Sequence, residues 1–88
     1  MTVLVTGAAG FIGYHTALRL LSRGERVVGV DNMNPYYSPT LKDERLRGLL
    51  DHRNFTFHQI DIADRIAMNE AVAGLKLTSI IHLAAQAG

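Results

Sequence analysis

The 88-residue sequence contains no cysteine, which excludes disulfide bonds and thiolate metal sites and fits a reducing compartment. Its formal net charge of +1 gives no field strong enough to indicate binding to nucleic acid or to an anionic membrane. No apolar run approaches the roughly 18 residues that a membrane helix needs. The first apolar run, near the N-terminus, is too short for a signal peptide and has no basic region before it. We therefore expect a cytoplasmic protein that contacts neither nucleic acid nor membrane.

The four histidines do not have the spacing of a metal site. His15, His52, His58 and His82 include no pair at i, i+3 or i+4 on one helix, and no carboxylate arrangement surrounds them. His82 is better explained as a hydrogen-bonded strand residue. No Ser-His-Asp set is apparent either, so we expect no metal site and no catalytic group in this chain.

Short β-branched runs alternate with helical patterns along the whole chain. The strands are predicted at residues 2–6, 26–30, 55–60 and 79–84, and amphipathic helices lie between them. Strands separated by helices are parallel and have right-handed crossovers. The pattern predicts a Rossmann-like doubly wound sheet with strand order 3-2-1-4. Residues 1–88 would then be the N-terminal part of one such domain, ending before its remaining strands.

The helices differ in the residues that they turn towards the sheet. In the second helix, Leu46, Leu49 and Leu50 mark the core face, and the charge run at residues 42–47 is interpreted as a solvated surface. Asp64 is expected to cap the third helix. The core face predicted for that helix contains Met68, Ala71, Val72 and Leu75.

Three glycines follow the first strand with the spacing G-x-x-G-x-x-G. Gly7 allows a sharp turn, Gly10 removes a side chain where the backbone approaches a pyrophosphate, and Gly13 allows the helix to pack closely on the sheet. The backbone N–H groups from about Gly10 through Phe11 to Ile12 would face an anion. Alone, the triplet could be a tight strand-to-helix turn. The strand before it and the helix after it favour a dinucleotide site.

An acidic residue ends the second strand at the distance expected for a ribose-binding carboxylate. Asp31 lies 24 residues after Gly7 and 18 after Gly13, on either side of the roughly 20 that is typical. The alternative is a simple turn residue, since Asp-Asn often follows a strand. A carboxylate accepts hydrogen bonds from ribose hydroxyls and repels a 2′-phosphate, and we expect no arginine beside Asp31 to receive that phosphate. We therefore expect NAD rather than NADP.

Together these motifs resemble the extended branch of the short-chain dehydrogenase superfamily, through Thr-Gly-x-x-Gly-x-x-Gly and its Gly-Phe-Ile-Gly ending. Two later segments resemble NAD-dependent nucleotide-sugar epimerases, and UDP-glucuronate 4-epimerases most closely. The first is Asp-Asn-Met-Asn-Pro-Tyr-Tyr from Asp31, followed by Leu41-Lys42 and Arg45-Leu46, and the second is His-Leu-Ala-Ala-Gln-Ala-Gly from His82. The resemblance covers all 88 residues.

The resemblance implies roles for residues beyond the glycine loop. It implies that Asp31 binds the adenosine ribose with help from Asn32 and Asn34, and that Asp61 and Ile62 contact the adenine. The fourth strand would line the cofactor through Leu83, Ala84 and Ala85. From the residues alone, Asp61 could simply end a strand, and the last three could be core.

In the related enzymes, bound NAD oxidises C4 of the sugar and the hydride returns to the other face. The base is a tyrosine with a lysine four residues later. Tyr14, Tyr36 and Tyr37 have no such lysine, so the chain is expected to be inactive alone. The alternatives are a non-catalytic dinucleotide-binding module, a structural fragment, and a segment of a 4,6-dehydratase or of a UDP-glucose 4-epimerase. The fourth strand is apolar on both sides and unpaired at one edge, which predicts self-association through this strand or the exposed face of the sheet.

Overall fold

Four strands and three helices alternate along the chain in the order βαβαβαβ. A computed structural model describes residues 1–33 and 39–84, except for the side chains of residues 39 and 40. The strands are β1 (Thr2–Thr6), β2 (Arg26–Asp31), β3 (Phe55–Gln59) and β4 (Leu77–His82), and the helices are α1 (Phe11–Ser22), α2 (Pro39–Leu50) and α3 (Arg65–Val72). No helix in the described ranges is both long and apolar enough to cross a bilayer.

The four strands form one parallel sheet with the order β3-β2-β1-β4, which confirms the predicted topology. β1 lies inside the sheet, and its Val5 is paired with Gly29 of β2 and with Ile81 of β4. Because parallel strands end at the same edge, the residues after β1, β2, β3 and β4 meet along one side of the sheet. That edge carries the candidate site.

The core lies mainly on the face of the sheet covered by α1 and α2. Buried side chains there come from the sheet, from the loop after β1, from α1 and from the end of α2, and they are Val3, Val5, Ala8, Ala17, Leu20, Leu21, Val27, Leu49 and Phe55. The opposite face has a smaller buried cluster of Leu4, Val28 and Val30, against which α3 packs. The first two crossover helices therefore share one face and the third lies on the other.

α3 is capped as the sequence predicts but is less buried than its pattern suggests. The Asp64 carboxylate accepts a hydrogen bond from the Ala67 N–H at 3.1 Å. Met68 and Val72 are only partly buried, Leu75 is exposed and follows the helix, and α3 has no buried residue. The predicted core face of α3 does face the sheet, but the prediction of its burial was wrong. Its residues are less buried than expected because α3 rests on the sheet without a neighbouring helix in the described ranges.

β4 begins two residues earlier than predicted and also ends earlier. Thr2 is paired with Leu77 and Val3 with Ser79, so Thr78 is an extra residue that forms a bulge. The Thr78 hydroxyl donates to the Thr2 carbonyl at 3.0 Å across this irregularity. The predicted strand at 79–84 was therefore wrong at both ends, since Leu83 and Ala84 follow β4.

Candidate functional site

The glycine loop leaves β1 through a turn that needs a residue without a side chain. Gly7 has φ of +72°, a left-handed conformation that glycine adopts without strain. Its N–H donates to the Val30 carbonyl at 2.7 Å, and its own carbonyl accepts from the Gly10 N–H at 3.0 Å. The loop is thus hydrogen-bonded to β2 and closed by a turn before α1 begins.

Two of the glycines also lie against other backbone segments. A Cβ atom on Gly7 would lie 2.9 Å from both Ala84 N and Leu83 C. A Cβ atom on Gly13 would overlap the Gly7 carbonyl oxygen and lie 2.7 Å from the Gly7 carbonyl carbon. The first turn of α1 therefore packs directly on the loop, and the loop packs directly on the end of β4.

The start of α1 presents backbone donors at this edge of the sheet. Gly10 is the N-cap and supplies no side chain, and the first turn has no acidic residue. The first bond to the cap carbonyl comes from Tyr14 N–H, so within the described ranges the N–H groups of Phe11, Ile12 and Gly13 have no protein acceptor. The Gly10 N–H, which the sequence suggested as a free donor, is already bound to Gly7. Three backbone donors thus suit an anion at this helix end.

Asp31 connects the end of β2 to the glycine loop. The side chain is only 4% exposed. Its Oδ2 accepts from the Ala9 N–H at 3.0 Å, and its Oδ1 accepts from the Met33 N–H at 2.7 Å. Asp31 therefore closes a local turn, as its alternative interpretation supposes, and also lies beside the loop, as a ribose-binding carboxylate must.

Two cations of α2 reach the same place, and the solvated-surface interpretation of the charge run was wrong for them. Lys42 is buried and its Nζ lies 3.0 Å from Asp31 Oδ1, while Arg45 donates to the Ala9 carbonyl at 3.2 Å. The Arg45 guanidinium also lies 5.8 Å from the centre of the exposed Phe11 ring. Sequence reasoning misses both cations, although Lys42, Arg45 and Leu49 share the helix face at i, i+3 and i+7.

The Thr6 hydroxyl binds β1 to the end of β4. Its Oγ1 accepts from the Leu83 N–H at 3.0 Å and from the Ala84 N–H at 3.2 Å. It also lies 2.8 Å from His82 Nδ1. The prediction that His82 is a hydrogen-bonded strand residue is confirmed. This contact holds Leu83 and Ala84 beside Gly7.

The two residues proposed to contact adenine follow β3 at the same edge. The exposed Asp61 accepts from the Ala63 N–H at 2.9 Å through Oδ1. Ile62 packs partly buried against the Leu4, Val28 and Val30 cluster. Asn32 follows Asp31 on the surface. Asn34 and Ala85, the remaining predicted site residues, lie outside the described residues, as do Tyr36 and Tyr37.

Comparison with known proteins identifies relatives of this chain. A family model described as GDP-mannose 4,6 dehydratase matches residues 4–88. UDP-glucuronate 4-epimerase from Thermodesulfobacterium geofontis is 47% identical over 85 residues, which are 97% of this chain and 26% of that protein. UDP-glucuronate 4-epimerase 5 from Arabidopsis thaliana is 44% identical over 88 residues, all of this chain and 20% of that protein.

Solved structures of such epimerases contain the same fold. The crystal structure of UDP-glucuronic acid 4-epimerase from Bacillus cereus in complex with UDP-glucuronic acid and NAD superposes with a TM-score of 0.85 at 35% identity. It is matched over 100% of this chain and 27% of its own. The chain thus corresponds to about a quarter of these enzymes, their N-terminal segment.

Proposed function

Because the chain belongs to the GDP-mannose 4,6-dehydratase family, we propose that it binds NAD and forms the cofactor-binding segment of a nucleotide-sugar 4-epimerase that acts on UDP-glucuronate. The observation that carries this proposal is the junction of Asp31 with the glycine loop. There a buried carboxylate accepts a hydrogen bond from Ala9, next to the N–H donors at the start of α1. The relatives with NAD bound in their crystal structures support the choice of cofactor.

In this proposal, different residues along this edge of the sheet bind different groups of the cofactor. The N–H groups at the start of α1 would receive the diphosphate, and the missing side chains of Gly7, Gly10 and Gly13 would allow its approach. Asp31 would accept a hydrogen bond from a ribose hydroxyl. The rest of the set, carried over from the family resemblance, is Asn32, Asn34, Asp61, Ile62, Leu83, Ala84 and Ala85.

Bound NAD would supply the hydride acceptor and donor for epimerisation at C4 of the sugar. The part of this chain is to bind and orient it, because no tyrosine among residues 1–88 has a lysine four residues later. A cytoplasmic location belongs to the same proposal, and the absence of cysteine supports it.

Calorimetric titration of the chain with NAD, and separately with ADP, tests the cofactor proposal. We expect both ligands to bind saturably, since in this proposal the site residues bind the adenosine and diphosphate groups that the two ligands share. Asp31→Ala should abolish both. A chain that is folded by circular dichroism and gives no saturable heat at millimolar NAD would contradict the proposal.

A chimera separates the epimerase proposal from a non-catalytic dinucleotide-binding module, and from a segment of a 4,6-dehydratase. In it, residues 1–88 replace the matching segment of the Thermodesulfobacterium geofontis enzyme. We expect the chimera to convert UDP-glucuronate to its 4-epimer, and Asp31→Ala in the chimera to remove this activity. A folded chimera that binds NAD but does not epimerise would favour one of the two alternatives.

We also propose that the 88-residue chain associates with a second copy through β4. Support comes from the place of β4 at the sheet edge and from Ile80, which is 62% exposed on that strand. An apolar edge strand pairs readily with another chain. Light scattering after size exclusion should give a dimer at micromolar concentration and a monomer for Ile80→Lys. Leu50→Lys should stay dimeric, because Leu50 is 54% exposed on α2, and the prediction that it lies on the core face was wrong. A wild-type monomer would refute this proposal.

A further inference from the structure

The Asp31 carboxylate has little acceptor capacity left for a ribose. An ionised carboxylate offers about four acceptor positions on its two oxygens. The described residues fill three of them: Met33 N–H and Lys42 Nζ on Oδ1, and Ala9 N–H on Oδ2. Counting the described residues alone, one position on Oδ2 remains. In bidentate binding of the ribose, each Asp31 carboxylate oxygen would accept a hydrogen bond from one of the 2′ and 3′ hydroxyls. Asp31 therefore cannot bind the ribose in this way while Lys42 stays paired with it.

Lys42 has N–H donors to spare for the ribose, whereas Asp31 has few acceptor positions left. An ammonium group carries three N–H donors, and the structure commits one of them to Asp31 Oδ1. The Lys42 side chain is 11% exposed, so its head lies at the same edge as the carboxylate rather than out in solvent. A ribose hydroxyl oxygen can accept from this ammonium while the neighbouring hydroxyl donates to Asp31. The pair thus offers one acceptor and additional donors to a diol.

We propose that Lys42 is a specificity-determining residue of the cofactor site, which binds the ribose together with Asp31 and lessens the rejection of a 2′-phosphate. The proposal rests on the proposed binding of NAD. A 2′-phosphate only accepts hydrogen bonds and is repelled by a lone carboxylate. Here Lys42 neutralises that carboxylate, and Arg45 adds a second cation beside the loop. The preference for NAD over NADP should therefore be smaller than Asp31 alone implies.

The chemistry predicts opposite effects for the two members of the pair. Removing the cation should harm NADP more than NAD, since the phosphate loses both a donor and an opposing charge. Removing the carboxylate charge while keeping its shape should favour NADP, because Lys42 then faces the phosphate uncompensated. A residue that only supported the fold would change both affinities by the same factor.

The test is the ratio of the NADP and NAD dissociation constants, measured by calorimetry for each variant. Lys42→Met should raise the ratio about tenfold, and Asp31→Asn should lower it by about the same factor, each equal to about 1.4 kcal/mol. Lys42→Arg should leave it nearly unchanged. Lys42→Gln, which keeps a donor for Asp31, covers the case in which the methionine variant does not fold. Lys76→Met, at an exposed lysine after α3, is the matched control.

The outcomes separate this inference from the proposal beneath it. If the wild-type chain binds NAD and the folded Lys42→Met and Lys42→Gln variants have the same ratio of NADP to NAD dissociation constants as the wild type, the role of Lys42 is overturned. The proposed NAD site is then left intact. A folded wild-type chain that binds neither dinucleotide overturns both. A rise in the ratio for the neutral variants, with the Lys76→Met ratio unchanged, supports the inference.

Discussion

Gly13→Ala is expected to lower the free energy of unfolding by about 3 kcal/mol, the upper part of the range for overpacking. The added methyl would overlap the Gly7 carbonyl oxygen and lie 3.0 Å from Ala8 Cα, and all of these atoms belong to the backbone. No side chain can rotate away, so α1 must move off the loop. A domain of this size has only about 4 to 13 kcal/mol in total, which makes the loss a large share.

Urea unfolding followed by circular dichroism measures this effect, and Gly48→Ala is its matched control. Outside its own helix and among the described residues, a Cβ atom on Gly48 would approach only the Tyr14 side chain, at 3.4 Å from its hydroxyl oxygen and 3.7 Å from Cε1. Since alanine favours a helix over glycine by about 1 kcal/mol, the control should be neutral or more stable. If Gly13→Ala matched Gly48→Ala in stability, the close packing of α1 on the loop would be refuted. Binding of NAD should also fall in Gly13→Ala, because the donors of α1 shift with the helix.

Asp31→Ala should cost about 3 to 5 kcal/mol of stability, because it leaves a buried ammonium without its counter-ion. The Ala9 and Met33 N–H groups lose their acceptor in the same substitution. Lys42→Met should cost less, since Asp31 keeps both backbone donors. The double variant should be more stable than the sum of the single losses predicts by about 1 to 3 kcal/mol, the coupling of a contacting pair.

The two single variants and the double variant form a double-mutant cycle, which is measured by the same urea unfolding. The pair of Arg23 and Glu25 serves as a reference. Arg23 is mostly exposed and its Nε lies 3.7 Å from Glu25 Oε2, so Arg23→Met should cost less than about 1 kcal/mol. Additive losses for Asp31 and Lys42 would mean that their contact contributes nothing to the fold, and would count against the buried ion pair.

The sequence predicts the topology well because its signals are local. Glycine after β1, a capping aspartate before α3 and alternating strand and helix periods each report on a few neighbouring residues, and the right-handed crossover rule turns them into the order 3-2-1-4. Asp31 could be found in the same way, from its distance to the glycine loop.

The cations of the site were missed because charge patterns are ambiguous. A run of alternating lysine, arginine and acid usually marks a solvated helix face, and only the packing of α2 on α1 turns Lys42 and Arg45 inward. Asp43 and Glu44, within the same run, are exposed as predicted. The ends of β4 were missed for a related reason, since its bulge depends on pairing with residues more than seventy positions away.

The Thr6 hydroxyl has one proton, and its surroundings determine where that proton goes. Two backbone N–H groups already donate to its oxygen, so among its three described partners His82 Nδ1 is the one that can accept this proton. In that arrangement the ring hydrogen of His82 is on Nε2. The last residue of β4 then presents a donor along its outer ring edge, and a group that meets His82 there would accept a hydrogen bond.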